Sequence, residues 1–207
     1  EKRIRQINPN SYYISSSVDL NKWLPLEERS TAPGSAVIGW TGTFSSGAYL
    51  TPLLPHLVDF CQKNNHKLLI IGDFILTEYA NVNCIEFRQW SKEDEISDLH
   101  DIDIGIYPLP DKEWVYGKSG LKLIQYLALG IPQVSSNVGM NNILIEDGAE
   151  GFLVATIDDW IDRLSTLCDN PTLRSKMGKR ARITAEKNHG FKIVASKYLD
   201  VLNGVNT

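Results

Sequence analysis

The sequence predicts an α/β fold with a Rossmann-like, doubly wound parallel sheet of about six strands flanked by helices. Short apolar runs, which suit strands buried on both faces of a sheet, recur through most of the chain. Longer stretches with apolar residues at helical spacing separate these runs. Strands that alternate with helices specify a parallel sheet covered on both faces, and for it we expect the strand order 3-2-1-4-5-6.

Length, charge and cysteine usage narrow the class of protein. The 207 residues suffice for one α/β domain with a buried core. The net charge of −4 and the pI near 5.6 lack the basic excess of nucleic-acid-binding proteins, so we expect no nucleic-acid partner. No apolar run approaches the roughly 18 residues that span a bilayer, and no signal-peptide pattern follows residues 1–5. Cys61, Cys84 and Cys168 are odd in number and widely spaced, which favours buried free thiols in a cytoplasmic protein.

Residues 1–35 differ from the rest of the chain and predict a lead-in segment. Short extended pieces such as residues 12–14 (Tyr-Tyr-Ile) alternate with polar turns. Residues 30–35 (Ser-Thr-Ala-Pro-Gly-Ser) form a cluster of structure-breaking residues. We therefore assign residues 36–207 to one α/β domain.

The first half of this domain alternates strands with helices. In order, we predict a strand at 36–40, a helix at 49–64, strands at 67–71 and 82–87, a helix at 91–100 and a strand at 102–107. Pro52 is expected in the first turn of the first helix, where a missing N–H costs little. Ser91 is the expected N-cap of the second helix, where the acids Asp94 and Glu95 complement the helix dipole.

The second half repeats the alternation and ends in helices. In order, we predict a helix at 119–129 that stops at Gly130, a strand at Gln133–Ser136, a short helix at 141–146, a strand at 151–155, and helices at Ile157–Cys168, Pro171–Asn188 and Phe191–Leu202. Pro171 marks the opening of a new helix.

Two loops are the expected site of any chemistry. In doubly wound sheets ligands bind at the carboxyl ends of the strands, where the strand order reverses, so the loops after Gly42 and after Tyr107 are selected. The first loop, residues 42–48 (Gly-Thr-Phe-Ser-Ser-Gly-Ala), lets the backbone approach a phosphate closely. It is neither a dinucleotide-binding glycine motif nor a P-loop, so its signal is weak alone.

The helix after the second loop carries a polar stripe on an otherwise apolar sequence. Lys118, Lys122 and Gln125 lie at i, i+4 and i+7, and Lys118 comes just before the helix starts. Two cations beside free N–H groups at a helix N-terminus suit a diphosphate. The alternative is that both lysines extend to solvent along a surface stripe. The position of the helix at the switch point favours the diphosphate site.

The remaining polar residues offer little catalytic chemistry. The four histidines, His56, His66, His100 and His189, are scattered and favour structural roles. The acidic pairs lie in first turns of helices and form neither a glycosidase pair nor a metal site. Trp40, at the end of the first strand, is expected in the core. Trp90 suits either core packing or the wall of a base pocket.

Residues 118–132 resemble the donor-binding helix of glycosyltransferase family 4, a large family of retaining enzymes with the GT-B fold. The family pattern is E-G-F-G-L-x-x-x-E-A-x-A-x-G-x-P-V-V, and the matching residues here are Gly120, Leu121, Ala128, Gly130, Pro132 and Val134. Residues 135–139, 145–154, 170–171 and 177–182 agree as well, so the resemblance covers about 36–202. Residues 7–25 look like the interdomain hinge of the family.

This resemblance implies that the chain is the C-terminal, nucleotide-sugar-binding half of a GT-B hexosyltransferase. The donor would be a UDP- or GDP-sugar, and the acceptor a glycan or lipid-linked glycan in polysaccharide biosynthesis, with no metal and no cofactor. The acceptor-binding N-terminal domain would be missing here, so the fragment alone should be inactive. Membrane association would arise only through that other half or through the acceptor.

Two departures from the family pattern change the expected contacts with the donor. The two glutamates of the family fall on Gly117 and Gln125, and its first-loop cations fall on Thr43 and Ala48. We therefore expect Lys118 and Lys122 to neutralise the leaving diphosphate.

The other expected contacts follow the same resemblance. The diphosphate would be met by Gly42, Thr43 and the N–H groups of Ser119, Gly120 and Leu121. Gln125 would contact the ribose, and Arg88 or Trp90 would border the base. The alternatives are a GT-B-type sugar-nucleotide epimerase and a catalytically degenerate domain kept for nucleotide binding or assembly.

Overall fold

The computed structural model describes residues 2–27 and 35–204, and it confirms the predicted α/β fold. Six parallel strands form one sheet with the order β3-β2-β1-β4-β5-β6, as expected. The strands are β1 (Val37–Gly42), β2 (Lys67–Gly72), β3 (Ile85–Gln89), β4 (Ile104–Tyr107), β5 (Gln133–Ser136) and β6 (Gly151–Val154). The order reverses between β1 and β4, which pair through Ile38 with Ile104 and Gly39 with Gly105.

Helices cover both faces of the sheet. In chain order the α-helices of the described residues are α1 (Lys2–Ile7), α2 (Phe44–Leu50), α3 (Leu54–Asn64), α4 (Glu95–His100), α5 (Leu121–Ala128), α6 (Asn141–Leu144), α7 (Ile157–Cys168), α8 (Pro171–Asn188) and α9 (Phe191–Leu202). Short 3₁₀ turns occupy Thr77–Tyr79 and Glu113–Gly117. The last three α-helices have the bounds predicted from the sequence.

Two apolar layers form the core, one on each face of the sheet. The first layer packs α3 and α7 on one face of the sheet through residues such as Leu57, Trp40 and Leu164. The second packs α5 and α8 on the opposite face. Glycine permits this close packing in the central strands. A Cβ at Gly39 would lie 2.2 Å from the side chain of Ile102.

The predicted helix at 49–64 is wrong, because the structure has two helices there. The helical structure is interrupted at residues 51–53, between α2 and α3, and α2 begins at Phe44. Pro52 and Pro55 lack N–H donors, so two consecutive turns could not both form their helical hydrogen bonds. Pro55, not Pro52, lies in the first turn of α3.

The second helix and its neighbouring strand also differ from the prediction. Helix α4 begins at Glu95, and Ser91 caps the preceding turn because its Oγ accepts the Asp94 N–H at 3.0 Å. Strand β3 ends at Gln89, two residues beyond the predicted end at 87. Both shifts place residues 90–95 directly at the carboxyl edge of the sheet.

The lead-in segment is attached to the C-terminal helices. Val18 forms a parallel bridge with Gly190, and the Arg182 guanidinium donates to the carbonyls of Leu20 and Trp23. Helix α1 was not predicted. The cluster of breakers at residues 30–34 lies outside the described residues, and the hinge role of residues 1–35 stays a prediction.

The cysteines and two of the histidines have structural surroundings. All three cysteines are free thiols, and burial raises the pKa of both Cys61 and Cys168 to about 12. The Ala36 N–H donates to His66 Nδ1 at 3.2 Å, and His189 Nδ1 bonds the Ser15 hydroxyl at 2.9 Å. Across residues 2–27 and 35–204, no helix combines the length and apolarity needed to cross a membrane.

Candidate functional site

A cavity of about 430 Å³ opens at the carboxyl edge of the sheet, at the switch point between β1 and β4. Its lining residues come from both predicted loops, from α5 and from the segments that follow β2 and β3. They are Thr41, Gly42, Thr43, Asp73, Trp90, Glu95, Tyr107, Lys118, Ser119, Gly120, Leu121, Lys122 and Gln125. The structure therefore brings together every residue that the sequence predicted for the site, with the exception of Arg88.

Helix α5 enters this cavity through a tight turn at Gly120. Gly120 has φ of +70°, a left-handed conformation that favours glycine. A Cβ at this position would also lie 2.3 Å from the side chain of Leu144. The turn starts α5 at Leu121, so the free N–H groups of its first turn and the side chain of Lys122 lie at the cavity.

The two lysines of the polar stripe lie against aromatic rings. The Lys118 ammonium is 4.9 Å from the ring centroid of Trp114 and 5.4 Å from that of Tyr49. The Lys122 ammonium is 5.3 Å from the ring centroid of Trp40 and donates to Ser46 Oγ at 3.3 Å. Trp40 itself is buried in the core, as predicted. Half-buried Lys122 thus differs from the solvent-facing lysine of the alternative interpretation.

The electrostatics of Lys122 are unusual for a lysine. Burial, with additional repulsion from Lys118, lowers its pKa from 10.5 to about 8, and the nearby charge of Asp73 partly opposes the decrease. Within the described part of the chain, neither lysine forms an ion pair with a carboxylate. Both ammonium groups could therefore pair with an anion in the cavity without first breaking an ion pair.

A carboxylate that the sequence does not single out already accepts a backbone N–H of the first loop. The Phe44 N–H, at the start of α2, donates to Asp73 Oδ1 at 2.6 Å. The Thr43 N–H donates to Ser46 Oγ at 3.0 Å. Asp73 follows β2, which lies beside β1, so its proximity could be found only from the strand order.

A second carboxylate links the base side of the cavity to α5. Glu95 Oε1 accepts the Gln125 Nε2–H at 3.1 Å and the Trp90 Nε1–H at 3.3 Å. Trp90 is 42% exposed, which excludes core packing, one of its two predicted roles. From the sequence alone, Glu95 is expected only to complement the dipole of its helix.

Arg88 lies outside the cavity, although the sequence analysis placed it near the base. Its guanidinium donates to three carboxylates, Glu86 and Asp101 at 2.6 Å and Asp98 at 3.1 Å. These bonds hold the Arg88 pKa above its ordinary value although partial burial opposes them. The arginine thus fixes the end of β3 to α4, next to the cavity.

Among residues 2–27 and 35–204, no group of three or more histidine, cysteine or acidic side chains is close enough to hold a metal ion.

A doubly wound sheet whose switch-point cavity contains two ammonium groups suits an anionic ligand. Residues 35–170 match the family described as Glycosyl transferases group 1. The chain therefore belongs to the glycosyl transferases group 1 family, and it has the Rossmann-like fold of the C-terminal domain of its GT-B members.

Three relatives illustrate the similarity. The D-inositol 3-phosphate glycosyltransferase of Arthrobacter sp. strain FB24 is 29% identical over 116 residues, which are 55% of this chain and 24% of that protein. The C-terminal domain of a glycosyl transferase group 1 family protein (LpcC) from Francisella tularensis aligns with a TM-score of 0.68 and 18% identity, over 84% of this chain and 99% of that one. Anabaena Alr3699/HepE, in complex with UDP and glucose, aligns with a TM-score of 0.72 and 15% identity, over 92% of this chain and 56% of that one.

The coverage of the relatives is uneven. The aligned segments make up 21% to 24% of the first three curated relatives. The two solved structures, which are 18% and 15% identical to this chain, share its fold.

Proposed function

We propose that the chain is the donor-binding half of a retaining glycosyltransferase that takes a sugar from a UDP- or GDP-sugar. The observation that carries this proposal is the pair Lys118 and Lys122, which converge on the switch-point cavity beside the N-terminus of α5. Anabaena HepE, which shares this fold, has been solved with UDP and with UDP-glucose, and this supports a nucleotide-sugar donor.

The two lysines would act on the charge that develops during sugar transfer. As the bond between the anomeric carbon and the phosphate oxygen breaks, negative charge grows on the departing diphosphate. With a pKa of about 8, Lys122 is mainly protonated at neutral pH and can meet this charge in a partly desolvated site. One such preorganised donor is typically worth about 3 kcal/mol of barrier lowering. The N–H groups of Ser119, Gly120 and Leu121 would bind the same diphosphate.

The acceptor would bind outside this domain, on a second domain that closes over the cavity. The alignments support this division, because the chain covers 99% of an isolated C-terminal domain but 56% of the Anabaena HepE chain. By this proposal the domain alone binds the donor without transferring sugar. The acceptor would be a glycan or lipid-linked glycan in the cytoplasm, in polysaccharide biosynthesis, and metal-independent transfer would rely on the lysines.

Calorimetric titration with UDP, GDP and ADP tests the binding step. We expect one of the three to bind the chain and both Lys118→Ala and Lys122→Ala to weaken it about 10- to 100-fold, the usual effect of losing a hydrogen bond to a charged group. Lys63→Ala is the matched control, because Lys63 is exposed on α3 and paired with Asp59. Unchanged affinity in both cavity variants would refute the proposal.

The same titration addresses the two alternative functions. A chain that binds none of the three nucleotides would be a degenerate assembly domain. If the chain binds a nucleotide, a transfer assay on the complete polypeptide separates a transferase from an epimerase. NMR of the product then identifies retention of the anomeric configuration.

A further inference from the structure

We infer that Glu95, on α4, is the group that accepts the ribose hydroxyls of the donor nucleotide, held in place by Trp90 and Gln125. The inference rests on the proposed nucleotide-binding function and adds to it a residue from a different helix. It assigns Gln125 the role of a positioning residue, although the family resemblance implies that Gln125 itself contacts the ribose.

The order of the groups along the cavity supports this assignment. Lys122 is on the side of the diphosphate, and Gln125 follows three residues later, about 4.5 Å further along the axis of α5. The Gln125 amide reaches Glu95, and Glu95 in turn holds Trp90, whose exposed ring borders the same cavity. Cations, a carboxylate and an aromatic ring thus succeed one another as diphosphate, ribose and base do in a nucleotide.

The bonding of the Glu95 carboxylate leaves it able to accept a diol. Oε1 takes both hydrogen bonds, from Gln125 at 3.1 Å and from Trp90 at 3.3 Å. Within the described residues no hydrogen bond or ion pair to Oε2 is formed. A carboxylate held by one oxygen, on a residue that lines the cavity, suits the two hydroxyl donors of a ribose, as acidic residues do in dinucleotide-binding folds.

The carboxylate at position 95 explains why an amide suits position 125. A glutamate at 125 would bring a second negative charge to within about 3 Å of Glu95, and two carboxylates at that distance do not both ionise readily. Gln125 removes this repulsion and donates the hydrogen bond that fixes Glu95. The departure from the family pattern at position 125 is therefore tied to the presence of Glu95.

The test compares a nucleotide with its analogue that lacks the ribose hydroxyls. The chain is titrated with UDP, GDP and ADP, and the tightest of the three is compared with its 2′,3′-dideoxy counterpart. We expect the wild-type chain to prefer the ribonucleotide by about tenfold or more, the usual effect of a charge-assisted hydrogen bond. In Glu95→Gln this preference should disappear while the affinity for the dideoxy analogue is retained.

The Glu95→Gln variant keeps an acceptor oxygen for both Trp90 and Gln125, so the local fold should persist, and thermal unfolding checks it. Asp94→Asn is the matched control, because Asp94 bonds Ser91 and does not line the cavity. An unchanged preference in Glu95→Gln, or an equal loss of both ligands, would overturn the inference while leaving the nucleotide site intact. Failure of the wild-type chain to bind any of the three nucleotides would overturn the proposed function as well.

Exchanging the two side chains provides a second test. Gln125→Glu alone should weaken the ribonucleotide, because it places like charges together. The double variant Glu95→Gln with Gln125→Glu returns one carboxylate and one amide to the pair, and it should recover part of the ribose preference. A double variant without preference, beside a single Glu95→Gln variant that keeps it, would refute the pairing.

Discussion

Replacing Lys122 with methionine should stabilise the fold while weakening the binding of nucleotide. The environment of Lys122 lowers its pKa from 10.5 to about 8, which corresponds to about 3 kcal/mol of destabilisation of the ammonium at neutral pH. Methionine fills a similar volume without the charge. The variant loses the contacts with Trp40 and Ser46, so we expect a net gain of about 1 to 2 kcal/mol in the free energy of unfolding at pH 7.

The pH dependence identifies the cause of this gain. Because the folded-state pKa is lowered, the folded chain binds fewer protons than the unfolded chain between pH 8 and 10.5. The contribution of Lys122 to stability therefore rises with pH across this window and is most unfavourable below pH 8. The stability difference between Lys122→Met and the wild-type chain should accordingly shrink from pH 7 to pH 10.

Urea denaturation at pH 7 and at pH 10 measures both effects, and Lys63→Met on exposed Lys63 is the matched control. A variant that is less stable than the wild-type chain at pH 7 would refute the account of Lys122. An equal stability gain at both pH values would refute it too, since the gain would then have no link to the proton. The same samples, titrated with nucleotide, should show the loss of affinity.

Three further predictions follow from the same geometry. The affinity for nucleoside diphosphates should fall by up to tenfold per pH unit above about pH 8 in calorimetry, because Lys122 of the unliganded chain loses the proton that the bound anion requires. A constant affinity up to pH 9.5 would contradict this. Gly151→Ala should cost about 3 kcal/mol in urea denaturation, because its Cβ would lie 2.0 Å from the Gln133 carbonyl oxygen inside the sheet; a near-neutral change would contradict the close approach. Arg88→Ala should leave nucleotide affinity unchanged in the same titration, because Arg88 lies outside the cavity, and a clear loss would return it to the site.

Local patterns in the sequence were sufficient to predict the sheet. Strand β5 and helix α7 are bounded by residues whose backbone preferences are strong, such as Pro132 before β5 and the capping Thr156 before α7. The break between α2 and α3 was missed because the first-turn rule for proline was applied to Pro52, whereas Pro55 fills that position. Two prolines so close together favour a break over a continuous helix.

The site could be predicted only where its residues share one element. Lys118, Lys122 and Gln125 were found because helical spacing alone places them on one stripe of α5. Asp73 and Glu95 were missed because they follow β2 and β3, and their distance from α5 depends on how the strands pair. In a parallel sheet the carboxyl ends of all strands lie at one edge. The residues that follow each predicted strand at this edge include both Asp73 and Glu95.

A second cavity offers a clear contrast for locating the bound nucleotide. It measures about 900 Å³ and lies at the amino ends of β4 and β5, with Arg174, Lys179 and Arg182 in its lining. Its three cations outnumber the two carboxylates of the lining, Glu27 and Asp103, so it is a competing place for an anion to bind in the described part of the chain.

Hydrogen–deuterium exchange with saturating nucleotide distinguishes the two cavities, because it locates the ligand without any substitution. We predict slower exchange at the amides of residues 41–43 and 118–122, around the switch-point cavity. Slower exchange confined to residues 174–182, around the second cavity, would contradict it.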